Sequence, residues 1–199
     1  MEYLTFGPAL HRRRCEFLNE ITSARMVLVL GDGDGRFTAE FLRHNPAALV
    51  DSVESSPTMS RLAAERIAQS PNGPARVRQL QGDVRAARLY GRYDLVIAHF
   101  FLDSFTTEEL QTLIPRIAAH VIPGARWLIS EFQIPASGLR RYVAKVVVKA
   151  LYVSFGLLTG LKAARLPNYG TILEASGYLR TASKTGIAGL LVSEMWEHV

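Results

Sequence analysis

Five short runs dominated by apolar residues, Met26 to Leu30, Leu49 to Glu54, Arg76 to Leu80, Tyr93 to Ala98 and Ala125 to Glu131, alternate with segments whose apolar positions recur at helical spacing. This alternation predicts βαβ units around a mainly parallel sheet, whose strands are covered on both faces and so read as near-continuous apolar runs. The helices between them mark their own ends. Gly35 to Arg43 follows a glycine turn, and Ser56 before Pro57 is an N-cap with proline at the first helical position; that helix must stop before Pro71-Asn72-Gly73-Pro74. Thr106 and Glu109 have capping-box spacing ahead of Leu110, Leu113, Ile114, Ile117 and Val121, with Pro115 expected to bend the helix and Pro123-Gly124 to close it. Beyond the fifth strand, Gly138 to Ala164 reads as one long helical region and Tyr169 to Ala175 as a short helix. Tyr178 to Lys184 and Ile187 to Trp196 read as an antiparallel hairpin around Thr185-Gly186. The expectation is one α/β domain over 1–199. It has a Rossmann-like, seven-stranded, mainly parallel sheet that ends in the hairpin, helices on both faces, and a helical lid inserted at 136–177.

Composition narrows this picture only modestly. In 199 residues, 48% are hydrophobic and 21% charged, which excludes a disordered chain. Cys15 is the only cysteine, so no intrachain disulfide, zinc ribbon or Cys-x-x-Cys pair can form, and a reducing, cytoplasmic setting is expected. The basic cluster His11, Arg12, Arg13, Arg14 follows an apolar start, the reverse of a signal peptide's order. The uncharged apolar stretch Ala150 to Leu161 falls short of the roughly 20 residues of a spanning helix. The net charge of +5 admits nucleic acid, an anionic membrane surface, or solubility alone.

The chemistry concentrates where the first strand runs into glycines, Val27-Leu28-Val29-Leu30-Gly31-Asp32-Gly33-Asp34-Gly35-Arg36-Phe37. Alternate glycines let the backbone bend sharply and bring a ligand against bare main chain near a helix N-terminus. A dinucleotide loop has G-x-G-x-x-G spacing and holds a pyrophosphate. Here the spacing is G-x-G-x-G, and Asp32 and Asp34 would repel a pyrophosphate while suiting a cationic ligand. The chain resembles the class I S-adenosylmethionine-dependent methyltransferases, and this resemblance implies roles for the matching positions. Gly31, Gly33 and Gly35 would be the cofactor loop, and Glu54, with Ser55 and Met59 beside it, the acid that holds the ribose hydroxyls. Gly82, Asp83 and Val84 would contact adenine, and His99, at the end of the fourth strand, would lie beside the methyl group. The family's acid two residues before the first glycine is replaced by Val29, so Asp32, Asp34 or water is expected to meet the cofactor's ammonium.

Methyl transfer from a sulfonium needs alignment and exclusion of water, and a base only if the acceptor must lose a proton. His99 and Asp103, in His99-Phe100-Phe101-Leu102-Asp103-Ser104-Phe105, are the candidate bases; the alternative is that His99 packs under the adenosine and Asp103 caps the next helix. Phe100, Phe101, Glu131 and Tyr169 are expected to line the acceptor pocket, with the alternative for Glu131 that it only satisfies local backbone, and Arg12 sits on an N-terminal helix that can cover the cofactor or simply face solvent. The segment lacks the Asn/Asp-Pro-Pro-aromatic motif of amine-methylating nucleic-acid enzymes, so no nucleic-acid partner is expected. Arg141, Lys145 and Lys149 form a basic stripe on the strongly apolar region up to Leu161, which suits a lid over a greasy acceptor or peripheral contact with the inner membrane surface, or packing on the sheet with the lysine stems reaching water. The reading is transfer of a methyl group from S-adenosyl-L-methionine, leaving S-adenosyl-L-homocysteine, to an aromatic, quinone-like or enolic small molecule, without a metal. This resembles the ubiquinone/menaquinone-biosynthesis branch. The alternatives are a non-catalytic cofactor-binding interaction protein, an RNA methyltransferase, or an NAD-dependent enzyme.

Overall fold

The computed structural model describes residues 7–133 and 167–199. The expected helix from Gly138 to Ala164, its basic stripe and most of the 136–177 insertion therefore lie outside the described residues. In chain order the elements are α1 (Gly7–Arg14), β1 (Met26–Leu30), α2 (Arg36–His44), β2 (Leu49–Glu54), α3 (Pro57–Ala68), α4 (Gly73–Arg76), β3 (Val77–Gln81) and β4 (Tyr93–His99). There follow α5 (Thr107–Ala118), β5 (Val121–Phe132), α6 (Tyr169–Ala175), β6 (Tyr178–Gly186) and β7 (Leu191–His198). The seven strands form one sheet in the order β3-β2-β1-β4-β5-β7-β6, parallel through β5 and antiparallel at β7 and β6. This is the Rossmann-like arrangement with the terminal hairpin that the sequence predicts.

Register places the ligand edge. Leu30 pairs with Val53 on one side and Ala98 on the other, and His99 pairs with Ser130, so β1, β2, β4 and β5 run out together. Successive residues of β1 enter opposite cores: Leu28 and Leu30 join Trp127, Leu110 and Ile114, whereas Val27 and Val29 join Phe37, Phe41 and Ile21. Coverage on both faces is why these strands lack alternation. The helix starts follow their caps: Ser56 accepts the Met59 N–H at 3.3 Å, and Thr106 and Glu109 close a reciprocal capping box. Among the described residues no helix is long and apolar enough to cross a membrane.

Three boundaries differ from expectation. Arg76 ends the α4 turn instead of opening a strand, because its guanidinium gathers the carbonyls of Leu42, Asn45 and Pro71. Val121 opens β5 instead of finishing the preceding helix. It pairs with Tyr93, after which the register jumps to Leu95 with Arg126, and Pro123-Gly124 absorbs the extra length with Gly124 at φ 74°. Thr185 still pairs with Val192, and the hairpin turns over Ile187–Gly189 instead of Thr185-Gly186.

One buried charge lies under this sheet. Asp51, 1% exposed, receives Arg78 Nε at 2.8 Å, Arg78 Nη2 at 2.7 Å and the Tyr93 hydroxyl at 2.7 Å, which ties β2, β3 and β4 together. Burial first, and the Asp51 carboxylate second, push the Tyr93 phenol up to about 12. An unfolded tyrosine ionises near pH 10, so the folded chain holds this proton more tightly, and the stability present below pH 10 is expected to fall as pH rises from 10 to 12. Urea unfolding at pH 9 and 11.5 checks this, and the loss should be smaller in a Tyr93→Phe variant.

Candidate functional site

Each glycine after β1 has its own reason to lack a side chain. Gly31, at φ 62°, donates to the Val53 carbonyl at 2.8 Å and lies so close under the Phe101 ring that a Cβ would sit 2.3 Å from it. Gly33, also at φ 62°, has open space where a Cβ would project, and its N–H donates to Glu54 Oε2 at 3.0 Å. Gly35, at φ 76°, is the left-handed N-cap of α2, and a Cβ there would meet the Ala63 backbone at 2.8 Å. Glu54 Oε1 accepts the Ser56 N–H at 2.8 Å, so this one carboxylate braces the loop and the entry to α3. Each oxygen keeps acceptor capacity for a further donor.

The two loop aspartates have different fates. Asp34 is paired with Arg36 at 2.8 Å and Arg66 at 3.0 Å. Both Asp32 oxygens are sealed from solvent and make no well-formed hydrogen bond among the described residues, although the hydroxyl and N–H of Thr38 lie beside the carboxyl and favour its charged form. Burial pushes the Asp32 carboxyl up to about 6. Asp32 shares a small cavity with Val29, Gly31, Phe37, His99 and Arg14. His99 is 7% exposed, meets the Phe37 ring edge-on with centroids 4.5 Å apart, and neither ring nitrogen has a hydrogen-bond partner among the described residues. Burial foremost, with Arg14 and His11 adding repulsion, holds its imidazole well below the usual histidine range, so it is neutral. Arg12 is exposed, and Arg14 is the member of the basic cluster that borders this cavity. The sequence offers three consecutive arginines and no means of choosing among them.

After β4 the chain bends abruptly. Phe100 takes a left-handed φ of 54°, donates to the Ser130 carbonyl at 2.7 Å and packs on Phe132 with centroids 5.1 Å apart. The bend turns Phe101 over Gly31 and presents the N–H groups of Phe101 and Leu102 to Glu131 Oε1, at 3.0 and 2.8 Å. Glu131 is 1% exposed, and among the described residues its Oε2 makes no well-formed hydrogen bond; burial, then the Asp103 charge, raise its carboxyl well above the usual range, against the pull of the Phe101, Leu102 and Asp103 N–H groups. Asp103 and Glu131 border a cavity of about 470 Å³ together with Phe132, Tyr169, Arg180, Glu194 and Trp196. Glu194, absent from the sequence expectations, is its hub: Oε2 accepts Tyr169 Oη at 3.0 Å and Trp196 Nε1 at 3.1 Å, and Oε1 accepts Arg180 at 2.7 Å. Its signal is an acid inside the run Leu191 to Trp196, whose other members are apolar apart from Ser193. The two candidate bases thus face different cavities, His99 the one at the glycine loop and Asp103 the larger one.

At the β3 end, Gly82 is at φ 145° with open space at its Cβ position, and its N–H donates to the Glu54 carbonyl at 3.0 Å. Asp83 is engaged by Arg85 through main chain and side chain, and Arg85, foremost by that hydrogen bond, holds its carboxyl below the usual range. Val84 is buried in the core, whereas Ser55 and Met59 are exposed.

Residues 27–124 match a family model described as a methyltransferase domain. A curated relative, polyamine aminopropyltransferase 2 of Streptomyces coelicolor, is 39% identical over 80 residues that span 36% of this chain and 14% of its own. Among solved structures, the mitomycin 7-O-methyltransferase MmcR superposes with a TM-score of 0.75 at 19% identity, covering 96% of this chain and 54% of its own. An O-methyltransferase family 2 protein from Planctomyces limnophilus in complex with apigenin has a TM-score of 0.74 at 16% identity, covering 98% of this chain and 60% of its own. The N-methyltransferase NodS from Bradyrhizobium japonicum, in complex with S-adenosyl-L-homocysteine, has a TM-score of 0.66 at 13% identity, covering 96% and 84%. The chain spans little more than half the length of the first of these structures and a small part of the curated relative.

Proposed function

We propose, for a chain whose residues 27–124 match a methyltransferase-domain model, that the glycine-loop edge binds S-adenosylmethionine and the adjoining cavity presents a small-molecule acceptor to its methyl group. The observation that carries this reading is Asp32: a buried carboxylate that Thr38 engages only loosely, beside main chain left bare by glycine, suits a ligand that brings its own cation. Bound there, the cofactor supplies a methyl group already activated on a sulfonium. Asp32 takes the place of the acid missing at Val29 and holds the ammonium of the methionine tail. Glu54 accepts the ribose hydroxyls, while Gly33 and Gly82 allow close approach of main chain. Asp83, whose two oxygens both accept from Arg85, meets the adenine amino group once that clamp yields one of them.

His99, neutral and enclosed, forms the inner wall and is a weak base; Asp103, on the acceptor side, is the better placed of the two to take a proton from a hydroxyl or enol. Phe132, Trp196 and Tyr169 give that cavity apolar surface for an aromatic or otherwise lipophilic body, which Phe100 and Phe101 extend towards the loop. Methylation at oxygen or carbon of such a molecule is the reading retained.

Calorimetry with S-adenosyl-L-homocysteine tests the cofactor half. Binding is expected at pH 7.5 and should weaken about tenfold by pH 5, because an Asp32 carboxyl near 6 is largely protonated there and no longer meets the ammonium as an anion. Absence of binding at both pH values, with NAD bound instead, overturns the reading.

A further inference from the structure

We propose that Glu131 is a positioning residue for the cofactor loop, acting through the backbone bend after β4 and not through contact with the acceptor; the inference rests on the methyltransferase reading and assigns the loop's outer support within it. Three successive residues at the end of β5 grip the bend. The Ser130 carbonyl accepts the Phe100 N–H, Glu131 Oε1 accepts the N–H groups of Phe101 and Leu102, and the Phe132 ring packs on that of Phe100. A left-handed φ is unfavourable for phenylalanine and persists only where the surroundings hold it. Ser130 and Phe132 act on Phe100 itself. Glu131 acts one step further along, on the residue whose ring has to be aimed.

What the bend delivers is Phe101. Its ring lies where a Cβ on Gly31 would come within 2.3 Å, and it meets Phe105 edge-on with centroids 5.0 Å apart. Gly31 immediately precedes Asp32, so a ring seated on it limits how far the loop can open. Glu131 is buried, and burying a carboxyl is costly, so an apolar residue would suit this place better if no main-chain donors had to be met. Two N–H groups on one oxygen are what the acid provides and a leucine cannot. Glutamine can, since its carbonyl oxygen accepts both. Coupling is reciprocal: a loop held by the bend must hold the bend in return once ligand binds.

Amide hydrogen exchange reads the bend directly, and Asp94 supplies the control. It too accepts two successive N–H groups, those of Arg25 at 2.7 Å and Met26 at 3.1 Å, but at the opposite end of β1. In the parent chain S-adenosyl-L-homocysteine is expected to slow exchange at Phe101 and Leu102 at least about tenfold, and at Arg25 and Met26 less than about twofold. Calorimetry then isolates the side chain. Glu131→Leu should weaken S-adenosyl-L-homocysteine binding about tenfold and Glu131→Gln less than about twofold. In a Phe101→Ala background the cost of Glu131→Leu should fall below about threefold, because the ring it aims is gone. Equal slowing at the two amide pairs, no loss in Glu131→Leu, a loss as large in Glu131→Gln, or a cost of Glu131→Leu unchanged by Phe101→Ala each overturn the proposal. The exchange comparison decides even if Glu131→Leu does not fold. A parent chain that fails to bind S-adenosyl-L-homocysteine strikes the methyltransferase reading instead, and Glu131 is then judged by whether Glu131→Leu frees the Phe101 and Leu102 amides while Glu131→Gln keeps them protected.

Discussion

An Asp32→Asn chain is expected to bind S-adenosyl-L-homocysteine at least about thirtyfold more weakly than the parent at pH 7.5, while 5′-methylthioadenosine, which has no amino-acid tail, binds both equally. The size follows from removing one member of a buried charge pair, about 2–5 kcal/mol. Asparagine keeps the shape and both polar ends, so the loop glycines are undisturbed. The substitution also removes from the ligand-free protein a charge whose burial costs more than its neighbours Thr38 and Arg14 return, so its thermal midpoint should hold or rise as ligand affinity falls. Calorimetry with the two ligands and a melting curve make the test. Equal losses for both would mean loop damage, and no loss for either would take the ammonium away from Asp32.

The second large effect concerns Gly35. Alanine there must hold a left-handed φ of 76°, at about 1–2 kcal/mol, and drive its Cβ to 2.8 Å from the Ala63 main chain, which as part of α3 cannot swing aside. Overpacking adds about 1–3 kcal/mol, so urea unfolding of Gly35→Ala should report a loss of about 2–5 kcal/mol. Gly33→Ala is the matched control, since its φ is also left-handed but the space at its Cβ is open; its loss should stay near the conformational cost alone. Similar losses for the two variants would show that backbone conformation, and not contact between α2 and α3, sets the requirement.

How far these sites were legible differs residue by residue. The strands were readable because both sheet faces are covered and apolar residues run on without alternation. The β5 start was not, because Pro123-Gly124 looks like a stop although it is the slack in a register shift. The loop acids were visible, but the choice between them depends on Arg66 arriving from α3 to neutralise Asp34, a tertiary event with no local trace. His99 and Asp103 stand four residues apart and invite pairing; the left-handed Phe100 sends them to separate cavities, and a positive φ in phenylalanine has no sequence signal. Glu131 was recognisable as an acid at a strand end, whereas the two N–H groups that occupy one of its oxygens come from that same bend.

The carbonyl of Arg13 accepts hydroxyls from Ser130 at 3.2 Å and Ser193 at 2.8 Å, paired residues of β5 and β7. The arginine that borders the Asp32 cavity is therefore anchored by a strand about 180 positions downstream. During synthesis, β1 to β5 can assemble into a sheet with its glycine turn while Ser193 is still inside the ribosome, yet Arg14 then lacks half of its anchorage. The N-terminal helix therefore completes its contacts with the sheet only once β7 has been laid against β5, a pairing of residues far apart in sequence.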